Sequence, residues 1–314
     1  MIVLDAVGAG PLPDASRYGD EDANTLGHVA DAVGGLDLPM LEALGLGNVA
    51  PLEGCPPQPG APAIAGRLAP RSAGKDGVRV RRVLPGEVKE VTIDLVSILG
   101  PGRHTEPSNS DGEVVWLILA GKGTLRTNDG TYGIEGETIA RAPNGWPWQI
   151  EVPRGEVLHA LRVRRQLTGD DKAELKKYPG NNAVPYVKKF GDCPAYREAI
   201  KSPKTVSRIL LPENYVPRMA VGTVETTGPD TVGLHRHPML EQLFLGLKDN
   251  DITVSGDEAK ANLKAYSILH IPLGSNHGAE VATGKKLYYV WMDFFVSKEG
   301  QEWLKMHKPV EQNP

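Results

Sequence analysis

The arrangement that most restricts how this chain can fold is Gly233-Leu-His-Arg-His-Pro-Met-Leu-Glu241, followed about thirty residues later by Pro272-Leu-Gly-Ser-Asn-His277. Three imidazoles and a carboxylate can act together only if these separate segments lie side by side. Neighbouring strands meet that requirement. Successive side chains of a strand alternate between faces, so His235 and His237 point one way and Arg236 the other. Pro238 cannot donate a ladder hydrogen bond and marks a short break or bulge, after which Glu241 turns back toward the same pocket. A second hairpin then delivers His277, its turn written as Pro272-x-Gly274, where proline presets one dihedral and glycine can take a positive one. The set predicts a site for a divalent metal. Ligation by His and carboxylate without Cys favours Mn, Fe, Ni, Co or Zn over a structural thiolate zinc site. A lone histidine in an apolar strand, such as His270 or His104, carries no such implication.

The rest of the chain supplies strands for such a site. From Val78 to Phe295, short Val/Ile/Leu runs alternate with turns such as Asn128-Asp-Gly and Ser255-Gly-Asp, the pattern of a sandwich or barrel. With 36 Gly and 26 Pro among 314 residues, the two make up about a fifth of the chain, against an average usage of roughly 12 per cent. Many tight turns between short strands are therefore expected. Residues 1 to 77 read differently. They are rich in Gly, Pro, Ala and acidic residues around a strand at Ile2 to Leu4 and one helix, capped by Asn24 or Thr25, running to about Ala32 and stopping near Gly34-Gly35. Residues 166 to 206 read as a polar linker with one or two short helices. Ser297 onward reads as a closing amphipathic helix with Trp303 and Met306 as docking residues.

The spacing H-x-H-x3-E followed by P-x-G-x2-H resembles the paired motifs of the cupin superfamily, small β-barrels of jelly-roll type, over residues 205 to 297. That resemblance implies metal-ligand roles for His235, His237, Glu241 and His277. One departure is Val281, where the second motif often carries Asn. Residues 78 to 165 resemble a second, degenerate cupin repeat. Gly121-Lys-Gly-Thr-Leu closes its first half, and Gly136 with Pro143-Asn-Gly145 resembles the second motif. Its ligand positions are altered: Trp148 stands at the place of the remote His, and Glu106 and Ser108 stand at the two-His strand ahead of Glu113, with His104 nearby. No metal is expected in that repeat. Trp116, Trp146 and Trp148 are read as packing residues ahead of an aromatic sugar platform. The expected fold class is therefore mainly β: two tandem cupin (jelly-roll) barrels at 78–165 and 207–314, joined by the linker, with a short α/β or irregular segment at 1–77.

A second resemblance lies at the N-terminus. Val3-Leu-Asp-Ala-Val-Gly-Ala-Gly, Tyr18-Gly-Asp-Glu, Asn24-Thr-Leu-Gly, Leu44-Gly-Leu-Gly-Asn and Arg71-Ser-Ala-Gly-Lys-Asp76 look like the opening of phosphopentomutase. The likeness implies a metal-ligand role for Asp5 and a phosphate-accepting Thr directly after the Gly-Lys-Asp. Here that residue is Gly77, which has no hydroxyl to act as nucleophile. The likeness ends there, without the other Asp and His ligands of a two-metal centre. A recombined or truncated gene fits better than a working mutase.

Net charge of -4 with both signs mixed argues against a nucleic-acid surface. Cys55 and Cys193 lie far apart and suggest neither a disulfide framework nor a thiolate metal site. The N-terminus lacks a basic region before its short apolar run, and no apolar span reaches about 18 residues, so a soluble cytoplasmic protein without membrane partners is expected. The expected function is that of a metal-dependent enzyme of isomerase, lyase or dioxygenase type. Its substrate would be a small polar molecule: a sugar, sugar acid or keto acid able to chelate the ion. Tyr288, Asp293 and His270 are the candidate acids or bases. The alternative is a non-catalytic barrel that senses a small ligand. Exposed edge strands make a homodimer the default.

Overall fold

The computed structural model describes Ala32 and residues 77 to 305, apart from Ala199, Pro238 and Glu258. The expectations for Asp5, the Ile2 to Leu4 strand, Cys55 and Met306 lie outside the described residues, as does the Trp303 side chain. Twenty strands are described. The first ten are β1 (Val78–Val83), β2 (Val91–Leu99), β3 (Gly102–Glu106), β4 (Gly112–Ala120), β5 (Lys122–Arg126), β6 (Thr131–Glu135), β7 (Thr138–Arg141), β8 (Trp148–Val152), β9 (Val157–Gln166) and β10 (Tyr186–Lys189). The others are β11 (Ala195–Tyr196), β12 (Val206–Leu211), β13 (Met219–Thr227), β14 (Asp230–Arg236), β15 (Leu240–Gly246), β16 (Asp251–Gly256), β17 (Ala259–Lys264), β18 (Ile268–Ile271), β19 (Asn276–Val281) and β20 (Lys286–Phe295). Helix α1 (Gly169–Leu175) follows β9, and α2 (Lys298–Lys305) follows β20. No helix among the described residues is long and apolar enough to cross a membrane.

Turn chemistry sets the hairpins. Asn128-Asp-Gly joins β5 to β6, with the Thr127 amide donating to Gly130 O at 2.9 Å. Ser255-Gly-Asp leads from β16 into β17, with Asp257 at φ 47°. The strands form two antiparallel pairs of sheets. In the first, β1-β2-β9-β4-β7-β10 faces β3-β8-β5-β6; in the second, β11-β12-β13-β20-β15-β18 faces β14-β19-β16-β17. Each pair closes over its own apolar interior, built around Trp116, Ile118, Leu125 and Ile150 in the first and Phe244, Ile252, Val254 and Trp291 in the second. These are the tandem jelly-roll barrels the sequence predicts. A third core, including Leu117, Leu161, Leu243, Val290 and Phe294, packs the two six-stranded sheets against each other. β20 displays the consequence: Leu287, Tyr289 and Trp291 enter the barrel, while Tyr288, Val290, Met292 and Phe294 enter the inter-barrel core. Both faces are buried, so the strand reads as a continuous apolar run that hides its period of two.

The linker is more structured than expected. Thr168 closes a capping box with Asp171 at the start of α1, but two strands that the sequence did not announce accompany the helix. β10 extends the first six-stranded sheet beside β7, and β11 extends the second beside β12. Arg218 ties α1 to both barrels, donating to Asp171 at 2.8 and 2.7 Å and to Glu90 at 2.8 Å.

On the outer face of the first barrel, which β9 shares with Leu161 and Val163 of the inter-barrel core, His159 is 5% exposed and meets the Ser97 hydroxyl at 3.0 Å. Burial lowers its pKa to about 4. In the unfolded chain the same ring takes a proton near pH 6.5. The unfolded state therefore binds more protons between these values, and stability falls as pH drops through that window. His159→Gln is expected to remove up to ~3 kcal/mol of acid sensitivity between about pH 6.5 and 4, read by urea unfolding across pH. An unchanged pH profile in the variant would contradict the burial of a neutral ring.

Candidate metal centre

His235 lies near the end of β14, and His237 just beyond it. His277 sits on β19 and pairs across the ladder with His235. Their ring centroids are 4.9 Å apart for His235 and His237, 4.4 Å for His235 and His277, and 5.5 Å for His237 and His277. One ligand atom from each of the three falls within 4.8 Å of the others. The turn before β19 behaves as written: Gly274 has φ +75°, and the Ser275 amide donates to Pro272 O at 3.1 Å. This turn is not a hairpin, however, because β18 and β19 belong to different sheets and the chain crosses between layers there.

Backbone contacts fix which nitrogens are offered. His235 Nδ1 lies 2.7 Å from Gly233 O, and His277 Nδ1 lies 3.0 Å from Ser275 O. A carbonyl can only accept, so each Nδ1 carries the proton and each Nε2 keeps its lone pair. His277 Nε2 is buried with no hydrogen-bond partner among the described residues. Burial, reinforced by the neighbouring His235, lowers the His277 pKa to about 4, and burial lowers His235 as well. The rings of His235 and His277 are thus neutral at physiological pH, the form that binds a metal. An orphaned buried lone pair beside two further imidazoles is the donor set expected of a cation site.

Glu241 is not brought to this group, which corrects the expectation from spacing. Its Oε2 lies 2.7 Å from His270 Nε2, and His270 Nδ1 meets Glu87 Oε2 of the first barrel at 3.0 Å. Cross-strand pairing explains the placement, since Glu241 pairs with Phe294, a residue of the inter-barrel core, whereas Gln242 pairs with Asp293. Gln242 shares the interior face of β15 with Phe244, whose ring lies 5.8 Å from His277. The strand resumes after the Pro238 region with the opposite parity to the one assumed. Gln242 is 5% exposed, its Nε2 donates to Asp293 Oδ1 at 2.6 Å, and its buried Oε1 has no hydrogen-bond partner among the described residues.

The proton-transfer candidates separate in the same way. Tyr288 points between the barrels and donates its hydroxyl to Glu137 Oε2 at 2.8 Å, and His270 bridges the barrels as described. Both lie on the face opposite the imidazoles. Asp293 is on the interior face, 3% exposed, and burial raises its pKa to about 7.

Sequence reading missed a second interior contribution, from residues 195 to 201. β11 pairs with β12 on one sheet, and Lys201 bridges to Val232 on the other, with the Gly233 amide donating to Ile200 O at 3.0 Å. This strap closes the open side of the barrel. Glu198 and Lys201 act electrostatically on His235 in opposite senses, and both act on Asp293. No local motif announces these residues, because their role comes from pairing across two sheets.

In the first barrel, Glu106 pairs with Trp148 as His235 pairs with His277. Arg162 lies there instead, donating to Glu106 at 3.0 Å and to Asp94 at 2.9 Å, with His104 Nε2 3.1 Å from Glu106. Trp116 and Trp148 meet edge to face at 5.9 Å in the barrel interior, as packing residues do.

No family model matches the chain. Among curated proteins, the phosphopentomutase of Anaeromyxobacter dehalogenans strain 2CP-1 is 38% identical over 140 residues, 45% of this chain and 32% of that protein. The phosphopentomutase of Desulfitobacterium hafniense is 48% identical over 90 residues, 29% of this chain and 23% of that one. The chain thus spans about a third or less of the length of these relatives. Among solved structures, a glyoxylate induced protein from Pseudomonas aeruginosa superposes with TM-score 0.59 at 12% identity, over 76% of this chain and 83% of that one. A cupin 2 conserved barrel domain protein from Leptotrichia buccalis superposes with TM-score 0.51 at 13% identity, over 71% and 91%. Oxalate decarboxylase from Lactobacillus farciminis gives TM-score 0.50 at 13% identity, over 74% and 87%. The described residues therefore have the cupin fold, in a chain whose N-terminal part is similar in sequence to the phosphopentomutases.

Proposed function

We propose that the second barrel holds a divalent metal through His235, His237 and His277 and is a metal-dependent enzyme acting on a small polar molecule with adjacent oxygens. The carrying observation is the orphaned, buried Nε2 of His277 within ligand distance of two other imidazoles. Gln242 would add a neutral oxygen donor, with Asp293 holding its amide so that Oε1 is presented to the interior. A divalent ion in such a site supplies Lewis acidity toward a substrate carbonyl or hydroxyl. The chain's own residues would bind, orient and exclude water: Phe244 walls the site, its ring 5.8 Å from His277, and Asp293 is the proton-transfer candidate on the interior face. A keto acid, sugar acid or sugar fits, with isomerase, lyase or oxygenase chemistry depending on the metal. Phosphopentomutase activity is not part of this reading, because Gly77 lacks the hydroxyl that covalent phosphoryl exchange needs.

The test is elemental analysis of the purified protein, followed by turnover assays of the loaded protein on sugars, keto acids and catechols with and without oxygen. About one divalent ion per chain and turnover of one panel member are expected. Stoichiometric metal with tight binding but no turnover would instead indicate a sensor. Gln242→Glu is expected to tighten Mn2+ binding about tenfold, since added ligand charge strengthens a site for a hard cation. Competition against a chelating dye measures this, and unchanged affinity would remove Gln242 from the ligand set.

A further inference from the structure

The strap that seals the second barrel carries a charged pair into its interior. Lys201 is 7% exposed and Glu198 28%, with Nζ to Oε2 at 2.5 Å. Lys201 Nζ also donates to Ser207 Oγ at 3.1 Å and lies 5.7 Å from the Tyr196 ring centroid. Ser207 faces the interior, since it stands in register with Val224, which pairs with Tyr289 of the same core. Glu198, Lys201, Ser202, Thr205 and Ser207 line a cavity of about 160 Å3. Burying an ammonium is costly unless it is compensated. An ammonium has three donors, and among the described residues only Glu198 and Ser207 accept from this one. The remaining donor has the Tyr196 ring and the cavity that Lys201 lines as its surroundings. Glu198 is the more exposed partner, able to swing toward solvent when a competing carboxylate arrives.

We propose that Lys201 is the anchor for a substrate carboxylate, so that the preferred ligand is a small 2-oxo or 2-hydroxy acid with its adjacent oxygens directed to the imidazoles. This deepens the metal reading above and rests on it. A neutral sugar carries no charge with which to compete against Glu198 for the ammonium. The volume of the cavity suits an acid of a few carbons rather than a nucleotide or oligosaccharide.

Pyruvate is the probe, with hydroxyacetone as an uncharged counterpart bearing adjacent oxygens on the same three carbons. Binding is followed on full-length, cobalt(II)-loaded protein, whose visible spectrum reads changes at the ion. Wild-type protein is expected to bind pyruvate at least about tenfold more tightly than hydroxyacetone. Lys201→Met should weaken pyruvate about tenfold or more, with cobalt content and imidazole affinity unchanged. Lys201→Arg should retain most of the affinity, and Glu198→Gln should tighten pyruvate by releasing the ammonium. Equal binding of the two probes by wild type, an unchanged pyruvate affinity in Lys201→Met, or a parallel loss of pyruvate and imidazole binding would overturn the assignment. If wild-type protein takes up no cobalt, the metal reading fails separately. Equilibrium dialysis of labelled pyruvate against metal-free wild type and Lys201→Met then decides: retention that depends on Lys201 supports the anchor, and equal or absent retention rejects it.

Discussion

Replacing His277 with alanine is expected to lower divalent-metal affinity by more than ~100-fold, since even outer contacts of a metal ligand are worth roughly 10- to 100-fold. His277 is 1% exposed, its Nδ1 is tied to Ser275 O, and its Nε2 finds no hydrogen-bond partner among the described residues. The alanine also removes buried ring volume next to Phe244, so a urea titration of the metal-free variant must accompany the metal measurement. Glu241→Gln is the decisive control. Its carboxylate contacts His270 on the inter-barrel face, so metal affinity should stay within about twofold of wild type. If Glu241→Gln abolished metal binding while His277→Ala did not, the centre described here would be wrong.

The second large effect concerns the first barrel and its join to the linker. Arg141 and Glu113 are 0% and 2% exposed and form a bidentate pair at 2.9 and 2.9 Å. Arg141 also donates to Asn181 O at 2.7 Å and to Asn182 Oδ1 at 2.5 Å, holding the chain that leads from α1 to β10. Arg141→Met would remove the contacts that oppose the upward push of burial on the Glu113 carboxyl, leaving a buried group that favours its protonated form and has lost its partner, and a loss of about 3 to 5 kcal/mol is expected from urea unfolding. Removing both charges, as Arg141→Met with Glu113→Leu, should recover half or more of that loss, because a buried pair is often replaceable by apolar side chains of similar volume. The linker contacts would remain lost. A single variant as stable as wild type would mean that the pair contributes nothing to holding the barrel.

Much of this architecture is legible along the chain because the responsible forces are local. Asn128-Asp-Gly and Ser255-Gly-Asp break strands wherever they occur, and Pro272-x-Gly274 needs no distant partner to turn the chain toward β19. His235-x-His237 places two rings on one strand face by period alone. The first barrel's altered ligand positions are equally readable, since Glu106 and Trp148 stand opposite each other in the ladder.

Parity and distant pairing are what escaped. A strand that restarts after an irregular stretch can show either face, and a shift of one residue exchanges Glu241 for Gln242. Sequence also gives no sign that the outer face of β20 is covered by another barrel, so Tyr288 and His270 look like residues of the site when they belong to the interface. By itself the sequence determined the number of barrels, the turns between their strands and the three imidazoles. Which side chains join those imidazoles was decided only when two sheets stacked face to face and residues 195 to 201 closed the gap. Those placements depend on contacts between segments far apart in the chain, and no local preference encodes them.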